Sequence, residues 1–303
     1  MALKGGFMIA ATTARTRIQF RNVLFATDFS PAASRAIPYA RMIAKHYGAN
    51  MVALHVAAPM VNPMTQPAAW PAVLEAERAQ QEDDRKELLN EFAGIPTQAL
   101  IEEGDILLNV HSAIQKNHAD LAVIGTHGRT GLGKFVLGSV AEEIFRTVSC
   151  PVLTVGPHTG TAHGTEIREI LFATDLSPES QTAAAHAVSL AQEFQARLVL
   201  LHVVKEPTVG DLVTTADVRA SSENLLRNYL PADAELWCKP EYIVAEGDAA
   251  ARILEIATGR ESDLIVLGVR PEDGLPGAST HLPIATAHKV VCQAPCPVMT
   301  VRH

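Results

Sequence analysis

Short apolar runs rich in Val, Ile and Leu alternate along the chain with longer stretches whose apolar positions recur at helical spacing. Alternation of this kind predicts a parallel sheet covered by helices on both faces. In the first half, strands are expected near 21–27, 50–56, 97–102, 120–125 and 151–155, with helices near 32–48, 70–93, 105–118 and 139–148. In the second half the strands fall near 168–174, 197–204, 240–245, 263–268 and 297–301, and the helices near 178–195, 211–229, 248–260 and 282–293. Pro38 is expected to kink the first helix, because its ring lacks an N–H and crowds the preceding turn. Ser30-Pro31 and Ser177-Pro178 each read as an N-cap followed by proline at the first helical position, so each first helix should start directly beyond its strand.

The two halves are copies. Val23-Leu-Phe-Ala-Thr-Asp-Phe-Ser-Pro31 matches Ile170-Leu-Phe-Ala-Thr-Asp-Leu-Ser-Pro178 at an offset of 147, and Leu54-His55-Val56 matches Leu201-His202-Val203 at the same offset. Glu103-Gly104-Asp105 meets Glu246-Gly247-Asp248, and Asp120 to Gly125 meets Asp263 to Gly268, both at 143. Each half closes on Cys-Pro-Val-x-Thr-Val, at an offset of 146. Ordered matches with small drifts describe a domain duplication with loop insertions, not a solenoid. The expected organisation is a loose N-terminal tail over 1–17, a first domain over 18–156, a linker over 157–166 where Gly, Pro, His and Thr cluster, and a second domain over 167–303. The fold class is α/β, two tandem doubly wound parallel five-stranded sheets. Their last strands, Val152–Val155 and Val298–Val301, are apolar edges that need cover, and pairing them with each other inside one chain would join the sheets.

Composition narrows the partners. The formal charge of -8 and the lack of any Lys/Arg run argue against nucleic acid and anionic membrane surfaces. No uninterrupted apolar run approaches the ~18 residues of a membrane-spanning helix. The four cysteines, Cys150, Cys238, Cys292 and Cys296, do not form a disulfide framework in so long a chain, and a reducing cytoplasm is the expected compartment. His288, Cys292 and Cys296 stand four apart, but Pro295 and Pro297 end that helix and Cys296 repeats Cys150 beside a buried strand. These are read as core thiols and no metal site is assigned. His55 and His202, at equivalent strand ends, are read as packed or hydrogen-bonded histidines.

The first half carries a candidate site. After the strand ending at Ile124 comes Gly125-Thr-His-Gly128-Arg-Thr-Gly-Leu-Gly-Lys-Phe-Val-Leu-Gly138-Ser139, then the helix-like Val140-Ala-Glu-Glu-Ile-Phe-Arg. Gly125 and Gly128 clear side chains where backbone must approach a ligand or take positive φ, and Gly138-Ser139 open a helix whose N–H groups and dipole favour anions. Such a loop lies beyond the carboxyl ends of the strands, where doubly wound sheets bind ligands, and Thr27-Asp28 lie there too. Asp28 can accept from a ribose hydroxyl or an adenine amine, or cap the turn after its strand; the two roles are compatible. Arg129, Lys134 and His127 are candidate phosphate neighbours. The loop is not a Walker A motif, since Gly133-Lys134 is followed by Phe135 instead of Ser or Thr.

The spacing Gly-x2-Gly-x9-Gly-Ser, with the Ala-Thr-Asp strand end, Leu-His-Val and the Cys-Pro-Val terminal strand, resembles the universal stress protein family over residues 22–155 and 168–302. The resemblance implies a flavodoxin-like strand order 3-2-1-4-5 and, as in ATP-binding members, adenine near the first two strand ends with phosphates in the glycine loop. Asp28, Val56, Gly125, Gly128, Gly138 and Ser139 match the motif, with Ala26, Thr27, Ile124 and Val140 as pocket neighbours. The implied ligand is ATP or a related adenine nucleotide, with or without magnesium. The resemblance also points to an intrachain pseudo-dimer and to a homodimer of whole chains. In the second half Pro271 falls over Gly128 and Ile284-Ala285 over Gly138-Ser139, so that copy is expected to be degenerate. The reading is an ATP-binding stress-response regulator. With no activated nucleophile or acidic metal cluster evident, no catalytic residue is assigned and at most slow ATP hydrolysis is expected. The rival readings are a slow ATPase or nucleotidyl-transfer enzyme, and an interaction protein without nucleotide.

Overall fold

The computed structural model of the chain describes residues 17–57, 70–126, 138–160, 164–178, 180–204, 215–230, 234, 238–269 and 284–302. The first half consists of β1 (Asn22–Thr27), α1 (Pro31–Ser34), α2 (Ile37–Tyr47), β2 (Asn50–Ala57), α3 (Trp70–Glu91), β3 (Thr97–Glu103), α4 (Ile106–Lys116), β4 (Leu121–Gly125), α5 (Ser139–Thr147) and β5 (Val152–Val155). The second consists of β6 (Glu169–Thr174), α6 (Ser180–Phe194), β7 (Arg197–Val204), α7 (Thr215–Arg227), β8 (Glu241–Glu246), α8 (Ala249–Gly259), β9 (Leu264–Val269), α9 (Ile284–Gln293) and β10 (Val298–Arg302). Within each half every strand pair is parallel and the order is 3-2-1-4-5.

The halves meet at their last strands. β5 and β10 run antiparallel, with Val152 opposite Thr300, Leu153 opposite Met299 and Thr154 opposite Val298. The result is one mixed ten-stranded sheet of order β3-β2-β1-β4-β5-β10-β9-β6-β7-β8, and neither apolar terminal strand remains an edge.

Successive side chains of a strand point to opposite faces. One face therefore receives Val23, Phe25, Met51, Ala53, Leu121 and Val123, packed with Ile43 of α2, Leu88 of α3 and Phe92 just beyond it. The other receives Leu24, Val52, Leu54, Ala122 and Ile124, packed with Val110 and Ile114 of α4 and Ile144 and Phe145 of α5. The second half repeats the arrangement, and each of the two cores runs without interruption through both halves. Burying each such large aliphatic or aromatic side chain contributes about 1.5–3 kcal/mol before entropy is set against it.

Three local details depart from the expected pattern. The first helix does not bend at Pro38 but stops and restarts. α1 ends at Ser34, and Pro38 lies in the opening turn of α2, where a missing N–H costs nothing. Ser30 caps α1 as expected, its Oγ accepting from Ala33 N at 3.1 Å. Ser177 does not play the same part, because α6 begins only at Ser180. The hydroxyl of Ser180, where the first half has Ala33, donates to Asp175 Oδ1 at 2.7 Å and stands 3.1 Å from Ser177 Oγ, while Ser180 N donates to Ser177 O, so a turn replaces the cap. Arg17, the last residue of the expected tail, is held by Glu193, its Nη2 donating to Oε2 at 2.9 Å. The rest of that tail lies outside the described residues.

Candidate functional site

The loop between β1 and α1 is built by its own side chains. Thr27 Oγ1 accepts from Phe29 N at 2.9 Å and Asp28 Oδ1 accepts from Ser30 N at 3.0 Å, which allows Phe29 to hold φ 58, a conformation non-glycine residues rarely take. His55, at the carboxyl end of β2, places Nδ1 2.9 Å from the carbonyl of Thr27, with its ring 4.6 Å from that of Phe29. The carbonyl can only accept, so Nδ1 carries the proton. The second half repeats each part: Thr174 Oγ1 with Leu176 N, Asp175 Oδ1 with Ser177 N, Leu176 at φ 64, and His202 Nδ1 at 2.9 Å from the Thr174 carbonyl. The capping role of the aspartate is thus common to both copies, and both histidines are the hydrogen-bonded kind expected.

In the first half this loop forms one wall of a cleft at the carboxyl end of the sheet. A cavity of about 180 Å³ is lined by Ala26, Thr27 and Asp28 from the end of β1, Leu54 and Val56 from β2, Ile124, Gly125 and Thr126 from the end of β4, and Ala33 from α1. Ile106 and Val110 of α4 and Gly138, Ser139, Val140, Ala141 and Ile144 at the start of α5 complete it. The structure therefore brings together every candidate site residue except Gly128 and Arg129. Those two, with His127 and Lys134, lie outside the described residues. Leu54, Ile106, Val110, Thr126, Ala141 and Ile144 were not singled out from sequence. Leu54 shares the face of Val56 two residues on, and Ile106 and Val110 stand four apart on one helix, so the periodicity carried the signal.

The character of the cleft is apolar with few polar groups, and Asp28 is the only ionisable side chain among its described lining residues. A flat apolar ring fits such a floor. At its far side stands the amino end of α5, where Gly138 occupies the N-cap at φ -61, ψ 138 without a side-chain cap. Helix amino ends favour anions through unpaired N–H groups and the aligned peptide dipoles.

Two glycines act differently from the expectation. Gly125 is not needed for positive φ. A Cβ there would lie 2.8 Å from the carbonyl oxygen of Ala32 and 2.9 Å from Ala33 Cα, so glycine lets α1 close against β4 and shape the cleft wall. Gly138 does not aim its amide outward, because its N–H donates to Thr126 O at 2.9 Å, which ties the two ends of the glycine-rich segment together.

The corresponding place in the second half is arranged otherwise. Val269, buried, stands where the first half has Thr126. Lys289 of α9 reaches Asp248, the N-cap of α8, at 3.1 Å. The first half has Glu143 and Asp105 at these two positions, a like-charged pair. A Cβ added to Gly268 would make only ordinary contacts, 3.5 Å from Ala183 Cβ at the closest.

The four cysteines are free and buried. Burial pushes the Cys150 thiol up to about 12 and raises that of Cys296. Both thiols lie in the core. Among the described residues no group of three His, Cys, Asp or Glu could hold a metal ion, and no helix is long and apolar enough to cross a membrane.

Comparison with known proteins gives a consistent result. The model of the universal stress protein family matches residues 19–156 and again 166–302. A universal stress protein of Mycolicibacterium smegmatis is 27% identical over 302 residues, covering 92% of this chain and 96% of its own. One from Methanocaldococcus jannaschii is 30% identical over 140 residues, covering 45% of this chain and 82% of its own. Among solved structures, a universal stress protein from Archaeoglobus fulgidus shares the fold with a TM-score of 0.68 at 20% identity, covering 93% of this chain and 98% of that one.

Proposed function

The chain belongs to the universal stress protein family, with two family domains in tandem, and on that footing we propose that it is a regulatory protein whose first half binds ATP or a related adenine nucleotide. The observation that carries the reading is the cleft, where an apolar floor from β1, β2 and β4 faces the amino end of α5. In this reading Ala26, Val56, Ile124 and Val140 take the adenine, Asp28 accepts from a hydroxyl or amine of the nucleoside, and the first turn of α5 from Ser139 meets the phosphates. Gly125 and Gly138 shape the enclosure, and Gly128 and Arg129 complete the phosphate contacts. With Asp28 the only ionisable group of the described lining, cations from the glycine-rich segment would balance a polyanion. The hydrogen bond between Gly138 and Thr126 supports a regulatory consequence. Phosphates held at α5 stabilise one arrangement of the segment that starts and ends there, and so couple occupancy to surface shape and to partner binding.

The second half, in the same reading, is a degenerate copy that binds no nucleotide. Its Lys289–Asp248 bridge, where the first half has Glu143 and Asp105, supports this. The proposed compartment is the cytoplasm, and whole chains are proposed to pair as homodimers.

Titration calorimetry of the full chain with ATP, and with AMP, tests the proposal. Gly138→Asp is the informative variant. Aspartate is a favoured N-cap at the observed φ and ψ, so the helix should remain intact while a carboxylate enters the phosphate position. Affinity should fall at least tenfold, about 1.4 kcal/mol. Unchanged affinity, or no binding by the unaltered chain, overturns the reading.

A further inference from the structure

A two-fold axis, even an approximate one inside a single chain, brings equivalent positions of the two halves face to face. Both strands that flank α2 repeat in the second half at an offset of 147, so His46 is equivalent to Glu193 and Tyr47 to Phe194. These are the residues that meet across the junction on one face of the sheet. His46 Nε2 lies 3.6 Å from Glu193 Oε2, the His46 ring 4.3 Å from that of Phe194, and the Tyr47 ring 6.3 Å from that of Phe194. On the opposite face the offset is 146, which makes Glu142 of α5 equivalent to His288 of α9. They meet too, Glu142 Oε2 at 3.7 Å from His288 Nε2.

Two independent contacts, on opposite faces of the sheet, thus place a histidine against a glutamate at positions related by the duplication. The order is reversed between them: the first half supplies the histidine on one face and the glutamate on the other. We infer that the junction surface is coded for an unlike partner, so that the first half's face fits the second half and disfavours a second copy of itself. Two first halves joined in the same way would set His46 against His46 and Glu142 against Glu142. Two second halves would set Glu193 against Glu193 and His288 against His288. Each like pairing loses the histidine–glutamate contact on both faces and sets two carboxylates against each other on one of them, which is how discrimination between similar partners is built. The setting suits such pairs. Glu193 has only 10% of its side chain exposed and is also held by Arg17, while His46, Glu142 and His288 remain about one-third exposed. Glu142 bonds Arg146 at 3.3 Å, and His288 Nδ1 lies 3.8 Å from Cys292 Sγ.

The discriminating experiment is an exchange of charges at the α5–α9 contact in the full chain, read by urea unfolding and by hydrogen exchange of the β5 and β10 amides. His288→Glu sets glutamate against glutamate. It should lower the folding equilibrium constant roughly fivefold to tenfold at low salt and speed exchange in β5 and β10. The double variant Glu142→His with His288→Glu restores an unlike pair with the sides reversed and should recover most of the loss. High salt should shrink the difference between the two, as screening requires. His46→Glu, which opposes Glu193, repeats the first arm on the other face. No loss in either single variant, a loss that the exchange leaves unrepaired, or a difference insensitive to salt each overturns the inference. Should His288→Glu fail to fold, Glu142→Gln removes the attraction without opposing a like charge, and an unchanged unfolding midpoint there is equally decisive against it. All readouts are taken without nucleotide, so they stand or fall separately from the binding proposal.

Discussion

At the amino ends of the strands the two halves solve one problem with different chemistry. In the first, Asn22 and Asn50 face each other across β1 and β2 through a neutral hydrogen bond of 3.1 Å. In the second, the same two positions are Glu169 and Arg197, 3.0 Å apart, and Glu169 is buried to 1% exposure with Arg260 at 3.1 Å and Ser262 at 3.1 Å as further partners. At the carboxyl ends the contrast runs the other way. The first half keeps an open cleft, and the second bridges the corresponding helices by Lys289 and Asp248. The half whose helices Lys289 and Asp248 bridge has an ionic network at Glu169 and Arg197, and the half with the described cleft has Asn22 and Asn50 at the equivalent positions.

The sharpest way to break this comparison is to remove the buried acid. Glu169→Gln should destabilise the chain by about 3 kcal/mol in urea unfolding, because Arg197 and Arg260 lose their counter-charge at a buried position. Asn22→Ala should cost about 1 kcal/mol. Equal effects would mean that the bases of the two halves are interchangeable. Next in size are the paired glycines Gly125, which ends β4, and Gly268, one residue before the end of β9. Gly125→Ala forces a methyl against α1 backbone at under 3 Å and should cost about 2 kcal/mol, whereas Gly268→Ala meets ordinary contact distances and should fall within about 0.5 kcal/mol of the parent.

Smaller effects sharpen the contrast. Asp105 and Asp248 both cap their helices, so replacement of either by alanine should cost about 1 kcal/mol. Asp248 also holds Lys289, and its backbone and lysine bonds keep its carboxyl below the usual range. The extra cost at Asp248, a few tenths of a kcal/mol, should vanish in high salt. Smallest is an acid effect at the junction. Arg17, first by its hydrogen bond, and His46 hold the Glu193 carboxyl below its ordinary value. The folded state therefore binds that proton less readily than the unfolded one, and the contribution is present at neutral pH and lost as pH falls through the lowered value. Glu193→Gln should flatten the acid limb of thermal unfolding curves there, and an unaltered limb would contradict the assignment.

Much of this architecture was legible in the sequence. The repeated Ala-Thr-Asp strand ends and Cys-Pro-Val terminal strands marked the duplication and the two apolar edges that β5 and β10 cover by pairing, whereas the order 3-2-1-4-5 followed from the family resemblance and not from the residues themselves. The described candidate residues, Ala26, Thr27, Asp28, Val56, Ile124, Gly125, Gly138, Ser139 and Val140, line one cavity, Val56 and the apolar neighbours having been named by the family resemblance and the others by the strand-loop-helix pattern as well. What escaped depended on contacts far apart in the chain. Nothing local shows that Gly125 is glycine because Ala32 and Ala33 lie against it, or that the Gly138 amide is taken by Thr126. The Ser177 cap failed because one substitution, Ser180 where the first half has Ala33, adds a hydroxyl that rewires the turn. The offsets marked His46 and Glu193 as equivalents, but only the axis made them neighbours.

The antiparallel seam between β5 and β10 is short, three facing pairs, yet both strands belong to one molecule. A tether turns their meeting into a first-order event at a local concentration on the order of millimolar. The ten-stranded sheet therefore assembles equally well from a scarce transcript or an abundant one. A pair of separate single-domain chains would come apart on dilution, and this protein has no such threshold to cross. Its outer rims, β3 and β8, carry Glu102, Glu103, Glu241 and Glu246, charges that discourage stray strands from adding on.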